Sequence, residues 1–265
     1  DIQRLDNDFL IGLRKLIINT RDPSVSQRVV YTSIYGNIDN LKEVESKDSA
    51  ISYQCFTDNK NLKSDSWNVI HSEDFFGSPR LTAKACKLFP HLIFPNSQES
   101  LWVDGSYKIK KPLSQFFDEC TNDKSIVFYR HPLRDCPYKE AKVCILLGLD
   151  ETEVIANQIR NYKELGMPEK NGLIHGAVIY RKHNNQDVCE LMEDWWLEIN
   201  KHSIRDQLSL NFIAWSNGIK INYVPEATLA DNEYFEWQGH QNQTRKHFLR
   251  KVYQRVLISW INAIG

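Results

Sequence analysis

A chain of 265 residues can bury a full core as one large domain or two small ones, and its 42% hydrophobic and 25% charged content is ordinary for a globular protein. The formal net charge of −1 removes any global electrostatic case for nucleic acid as a partner. No apolar run reaches the roughly 18 residues that a membrane span needs. The six cysteines lack C-x-x-C spacing and several sit in apolar runs, which points to free thiols, no zinc site and a reducing, cytoplasmic setting. The chain starts at Asp1 rather than Met, which suggests trimming and leaves room for a lost anchor or neighbouring domain.

In chain order, residues 1–19 place Leu5, Phe9, Leu10, Leu13, Leu16 and Ile17 at three- and four-residue steps, which predicts an amphipathic helix. RVVYTSIY at 28–35 is β-branched and aromatic and ends at Gly36-Asn37, a strand and turn. Further strands are expected over 50–57 and 67–71. Ser78-Pro79 is a helix start, with Ser as N-cap and Pro at the first helical position, for a helix that stops at Pro90. A strand over 100–104 and a helix over 111–120 follow. Next come a strand over 125–129, helices over 138–147 and 151–165, and a strand over 175–181. Helices over 188–200 and 205–216, a strand over 221–224 and a last helix over 245–261 complete the chain. Strands alternating with helices predict one α/β domain with a mixed, mostly parallel sheet covered on both faces. There is no GxGxxG after the first strand, no GxxxxGK[ST], no GxSxG and no HExxH, so dinucleotide, P-loop, serine-hydrolase and zincin chemistry find no support.

Polar clusters recur where apolar runs stop. Leu101-Trp102-Val103-Asp104-Gly105-Ser106 ends in one carboxylate, at the place where open α/β sheets bind ligands. An acid there either holds a divalent cation that clamps a diphosphate or simply opens a turn with Gly105. Arg80, Lys84 and Lys87 share a helix face that either meets phosphates or forms a solvated edge. His131, Arg134 and Glu140 follow the strand SIVFY in a loop held by Pro132 and Pro137. Gly172 and Gly176 allow a close backbone approach or a tight turn. Ser203-x-x-Asp206 has the form of a capping box, and the same acid at a helix start can serve as a base. Of Trp195 and Trp196, one ring suits the core and the other a sugar platform. The tail from 241 onward carries Arg245, Lys246, Arg250, Lys251 and Arg255 without an acid. It reads as a packing helix or a peripheral contact with an anionic membrane. Asp6-Asn7-Asp8 fits a D-x-D pattern but lies inside the first helical stretch, ahead of any strand.

Taken together the segments YTSIYGNID, CFTDN, PRLTAKACKLFPHLIFPN, LWVDGSYKI, RHPLRDCPYKEA, YKELGMP, GLIHGAVIYRKHN, WWLEI and SIRDQLSL resemble a glycosyltransferase-like family first catalogued as a domain of unknown function, with plant and microbial members. The resemblance spans about residues 28–216. It implies a GT-A-like, Rossmann-type α/β/α sandwich filling 1–265 as a single glycosyltransferase domain. A nucleotide-sugar-binding half would cover about 28–110, an acceptor and catalytic half about 111–240, and a basic C-terminal helix 241–265. By that analogy Tyr31, Asp58, Arg80, Lys84, Asp104 and Ser106 bind a nucleotide-diphosphate sugar, UDP- or GDP-linked. His131, Arg134, Gly176, Arg205 and Gln207 would line the donor sugar or a saccharide acceptor. Asp206, then Glu140, are the expected catalytic bases of an inverting reaction; in a retaining one the leaving phosphate takes the proton. Ser106 stands where the second acid of a D-x-D motif belongs, so a Mn2+ or Mg2+ site would rest on Asp104 with His240. The competing expectation is a non-catalytic saccharide- or nucleotide-binding protein on a decayed GT-A fold.

Overall fold

The computed structural model describes residues 11–13, 16, 26–121, 124–229 and 232–239. In chain order these form β1 (Arg28–Ile34), β2 (Ile51–Thr57), β3 (Asn68–His71), α1 (Pro79–Leu88), α2 (Pro90–Ile93), β4 (Glu99–Val103), β5 (Tyr107–Ile109) and α3 (Ser114–Thr121). They continue with β6 (Ile126–Arg130), α4 (Pro137–Leu147), α5 (Thr152–Glu164), β7 (Ile174–Arg181), α6 (Gln186–Lys201), α7 (Asp206–Ser216), β8 (Asn222–Thr228) and β9 (Phe235–Trp237). One seven-stranded sheet of order β3-β2-β1-β4-β7-β6-β8 runs through both expected halves, beside a two-stranded β5-β9 ribbon. In the large sheet β7 alone runs against its neighbours β4 and β6; the other pairs are parallel.

The alternating strand pattern sorts the core into two layers. Tyr31, Trp102, Phe128 and Ile179 point to the face covered by α1, α6 and α7. Val30, Leu101, Val127 and Tyr180 point to the opposite face, where Phe116 and Phe117 of α3 and Phe235 of β9 close the core. Among the described residues, the second face is therefore covered by one helix and a ribbon. Both tryptophans of the 195–196 pair are buried in the first layer, so neither is open as a sugar platform.

Several elements depart from the sequence reading. Pro90 starts a helix of its own, α2, because proline fits the first helical position whatever precedes it. The three-residue strands β5 and β9 are too short to carry a period. β8 continues past Val224 across Pro225, with a register irregularity opposite β6. As the sheet's edge strand it tolerates a residue that cannot donate. The expected first helix is described at Ile11–Leu13 and Leu16, where Leu13 and Leu16 are buried. The D-x-D match, His240 and the 245–261 segment lie outside the described residues. No described helix is long and apolar enough to cross a membrane. All six thiols are free.

One polar arrangement ties the layers together. Arg181, with no exposed surface, donates through Nη1 to the Lys87 carbonyl at 2.7 Å and through Nη2 to the Tyr31 hydroxyl, which itself donates to the Lys87 carbonyl at 2.9 Å. That carbonyl belongs to the last turn of α1, where helices leave carbonyls unpaired and carry partial negative charge. A buried guanidinium without a carboxylate among the described residues is thus matched to a helix C-terminus. Arg181→Met is expected to lower unfolding stability by on the order of 3 kcal/mol, since hydrogen bonds from charged donors contribute about 1.5–3 each. Urea unfolding should show a lower midpoint at an unchanged m-value.

Candidate active site

β7 is reversed, so its first residues reach the same edge of the sheet as the C-terminal ends of β1, β4 and β6. Asp104 N donates to the Ala177 carbonyl at 2.8 Å, and His131 N to the Leu173 carbonyl at 2.9 Å. Asp104, His131 and His175 are thereby gathered from three strands around one cavity of about 360 Å3.

Helix α1 delivers the cations to it. Ser78 caps α1 by accepting from Leu81 N at 3.4 Å, and Pro79 occupies its first turn. The basic face then points into the site: Lys84 Nζ and Lys87 Nζ lie 2.6 and 2.8 Å from the same atom, Asp206 Oδ2. Lys87 Nζ is also 3.6 Å from Asp104 Oδ1. The Lys87 side chain is 3% exposed and that of Asp206 6%, while Lys84 keeps 21% of its surface open. Lys84 is therefore the cation that a ligand meets first. Burial pulls its ammonium down to about 8, with Asp206 opposing the shift. Burial would lower Lys87 too, but Asp104 and Asp206 lift it above its ordinary value. Burial works against ionised Asp206, yet Lys84, Lys87 and Arg205 hold it well below the usual carboxylate range. A carboxylate so held is a weak proton acceptor at neutral pH.

The capping-box expectation fails at this acid. The residue at the cap of α7 is Arg205, which makes no side-chain cap bond, and Asp206 follows inside the helix. Ser203 instead donates to Asp150 Oδ2 at 2.6 Å, so the acid expected to answer it is left free for the lysines. Gly176 allows the close approach. A Cβ there would stand 3.3 Å from Lys87 Nζ and 3.5 Å from Asp206 Oδ2. Gly172 is a turn glycine at φ 79°, where a Cβ would come within 2.8 Å of the Tyr223 hydroxyl.

Around this core, Arg205, Gln207 and Ser106 also line the cavity. Arg80 joins Lys84, Asp104, Ser106 and Arg205 along an adjoining crevice over the end of β1. Glu140 is 3% exposed and forms an ion pair with Arg134 Nε, which removes the basis for Glu140 as a base. His131 spends Nδ1 on the backbone N–H groups of Leu133 and Arg134, at 3.1 and 3.0 Å. Burial, with Arg134 and His175, pushes its imidazole down to about 3, so it is neutral.

Two expected donor contacts are not part of this cluster. Tyr31 is fully buried beneath α1 with its hydroxyl spent on the Lys87 carbonyl, so it supports the site from behind. Asp58 accepts from Gly36 N at 2.9 Å and lines a separate cavity with His71 and Asp74. Of the expected cation site, Asp104 with His240, only Asp104 is among the described residues. Asp104 Oδ1 accepts from the Trp102 indole at 2.5 Å and faces the Lys87 ammonium. Among the described residues no three His, Cys, Asp or Glu side chains converge as metal ligands. The positive charge beside Asp104 is already supplied by lysine. Sequence reading also missed two members. Lys87 was noticed only as a face residue, and His175 only as the start of a strand.

The family model of the TOD1/MUCI70, glycosyltransferase-like domain matches residues 20–230. The chain belongs to this family. It is 25% identical over 206 residues to the probable hexosyltransferase MUCI70 of Arabidopsis thaliana, covering 72% of the chain and 35% of that relative. It thus spans about a third of the relative's length. Among solved structures, the bifunctional glycosyltransferase WbbM overlaps 89% of the chain and 45% of its own, at 10% identity and a TM-score of 0.45. Mouse xyloside xylosyltransferase 1 overlaps 75% and 84%, at 11% identity and a TM-score of 0.41.

The chain carries its ion cluster as a structural charge balance with a defined pH signature. Asp206→Asn leaves two enclosed ammonium groups without their shared anion and is expected to cost about 3 kcal/mol at pH 7. An unfolded aspartate titrates near about 3.9. Since the folded group lies lower, its contribution is complete above that value and drains away as pH falls towards the folded one. The stability gap between wild type and Asp206→Asn should therefore start to narrow as pH falls below about 4; a constant gap down to about pH 2 would contradict the assignment.

Proposed function

We propose that this domain transfers a hexosyl or pentosyl residue from a UDP- or GDP-linked sugar to a hydroxyl group of a saccharide, on a GT-A-type scaffold. The observation that carries the reading is the pair of lysines on α1, presented at the strand ends with one ligand-facing ammonium and one enclosed. Breaking a glycosyl–phosphate bond puts negative charge on the departing diphosphate, and pre-placed cations in a water-poor site stabilise that charge. Lys84 and Lys87 are assigned this work, with Arg205 beside them and Arg80 along the crevice towards the end of β1. Family membership supports the reaction class. The lysine at Asp104 supports doing it with ammonium groups where a metal was expected.

In this reading Asp206 is not the base. It is the counter-ion that sets the two lysines in place and keeps them charged. Its backbone contributes as well, since the Asp206 carbonyl accepts from the Trp195 indole at 3.0 Å and so anchors the start of α7.

Nucleoside diphosphates and their sugars are expected to raise the Tm, equally with EDTA and with Mn2+. Lys84→Ala should weaken their binding at least about tenfold, equivalent to 1.4 kcal/mol. Because Lys84 loses its proton near 8, affinity should fall as pH rises through that value, and Lys84→Arg should remove the dependence. These are titration-calorimetry measurements. Failure of UDP, GDP and their sugars to bind sinks the transferase reading, whereas binding without transfer selects the non-catalytic alternative.

A further inference from the structure

The register of the β5-β9 ribbon pairs Ile109 with Phe235 and Tyr107 with Trp237. Residues paired across two strands, and those two apart along one strand, share a face. On this shared face Ile109 and Phe235 are buried, and Phe235 meets Phe116 edge-on at 5.4 Å. The face then runs on past the core with Tyr107 and Trp237, and Trp237 is 53% exposed. An apolar face that served only to hold the ribbon down would end where the core ends.

The exposed pair is fixed from several sides. Tyr107 N donates to the Asp104 carbonyl at 2.9 Å, and Gln238 N to the Ser106 carbonyl at 3.0 Å. The Tyr107 ring stands edge-on to His175 at 6.2 Å. Gly239 lies against the indole, where a Cβ would stand 3.8 Å from Trp237 Cζ2. Tyr107, His175 and Trp237 line the lysine cavity and equally a cavity of about 700 Å3 beside it. The two are therefore arms of one cleft, and the aromatic pair is common to both. The larger arm is rimmed by Lys110, Asn232 and Glu236.

We infer that the acceptor is a saccharide chain instead of a single sugar, lying along this cleft with a ring next to the accepting one stacked on Trp237 and Tyr107. The inference rests on the transferase reading above, which places the donor diphosphate at the lysines. A sugar ring offers an apolar C–H face and a rim of hydroxyls, which an aromatic surface bordered by hydrogen-bonding groups matches. An arm of about 700 Å3 lies within the range that encloses a whole drug-sized ligand. A single ring seated at the lysines thus leaves room for further residues of its chain. The two ends of the cleft divide the work: ammonium groups hold the diphosphate, and the ribbon holds the chain. Stacking involves no ion pair, so the ribbon's share of the affinity should respond little to salt, unlike that of the lysines.

Titration calorimetry on the full chain, with a nucleoside diphosphate present, uses glucose, xylose, galactose and uronic acid as monomers and as their linear oligomers. At least one oligomer is expected to bind about tenfold more tightly than its own monomer. Trp237→Ala should remove that advantage while nucleoside diphosphate affinity holds within about threefold. Trp237→Phe should restore part of it, which a general packing defect would not allow. In transfer assays the same loss should appear in the oligomer KM, with kcat little changed. Equal affinity for monomers and oligomers, no binding of any oligomer, or an undiminished advantage in Trp237→Ala overturns the inference and leaves the transferase reading in place. So does a Trp237→Ala variant that weakens donor sugars and spares oligomers, because the platform then serves the donor. Failure of nucleoside diphosphates and their sugars to bind overturns the transferase reading itself.

Discussion

Lys87 is fixed at both ends, and the site depends on it. Its carbonyl is gripped from inside the core by Arg181 and Tyr31, and its ammonium is set between Asp104 and Asp206. A lysine normally keeps several rotatable bonds mobile, so such a site would lose precision if only the tip were held. Here the backbone of the helix is anchored at the same residue. The guanidinium that secures the helix end also adds a second positive charge beneath the site, which burial alone would not tolerate without the helix carbonyl to receive it.

The reversed strand is the second organising element. In a purely parallel sheet every strand would present its C-terminal end to the ligand edge. β7 presents its beginning, between the ends of β4 and β6. The register break opposite Phe128 and Tyr129 lets this stretch leave the regular ladder, which brings Gly176 against the ion pair and His175 to the lysine cavity. One strand thus supplies both a cleared backbone and a ring nitrogen.

The alternation of strands and helices was legible because it follows hydrophobic period, and Ser78-Pro79 was legible because caps act locally. The site was legible in parts. Polar clusters where apolar runs stop located Asp104, Arg205 and Gln207, and Gly176 stood out as a residue that allows a close backbone approach. Pairings between distant segments were not. Lys87 and Asp206 are 119 residues apart, and no local signal states that one carboxylate will face two lysines. The same blindness produced the capping-box reading of Ser203, whose real partner, Asp150, lies 53 residues earlier. His175 stayed hidden because the antiparallel insertion of β7, which brings its first residue pairs to the ligand edge, is a property of the assembled sheet.

Asp206 also bears on turnover. It pairs with the two ammonium groups that a diphosphate would use in the proposed transfer, so their charge is already partly balanced and any anion must compete with a tethered one. A covalently attached competitor acts at high effective concentration and tempers affinity without blocking access. If the proposed transfer holds, such a resident rival favours departure of the spent nucleoside diphosphate, the step that often limits an enzyme's rate. Under the proposed transfer the buried carboxylate would then be a means of release, already in place to pair with both lysines when an anion leaves.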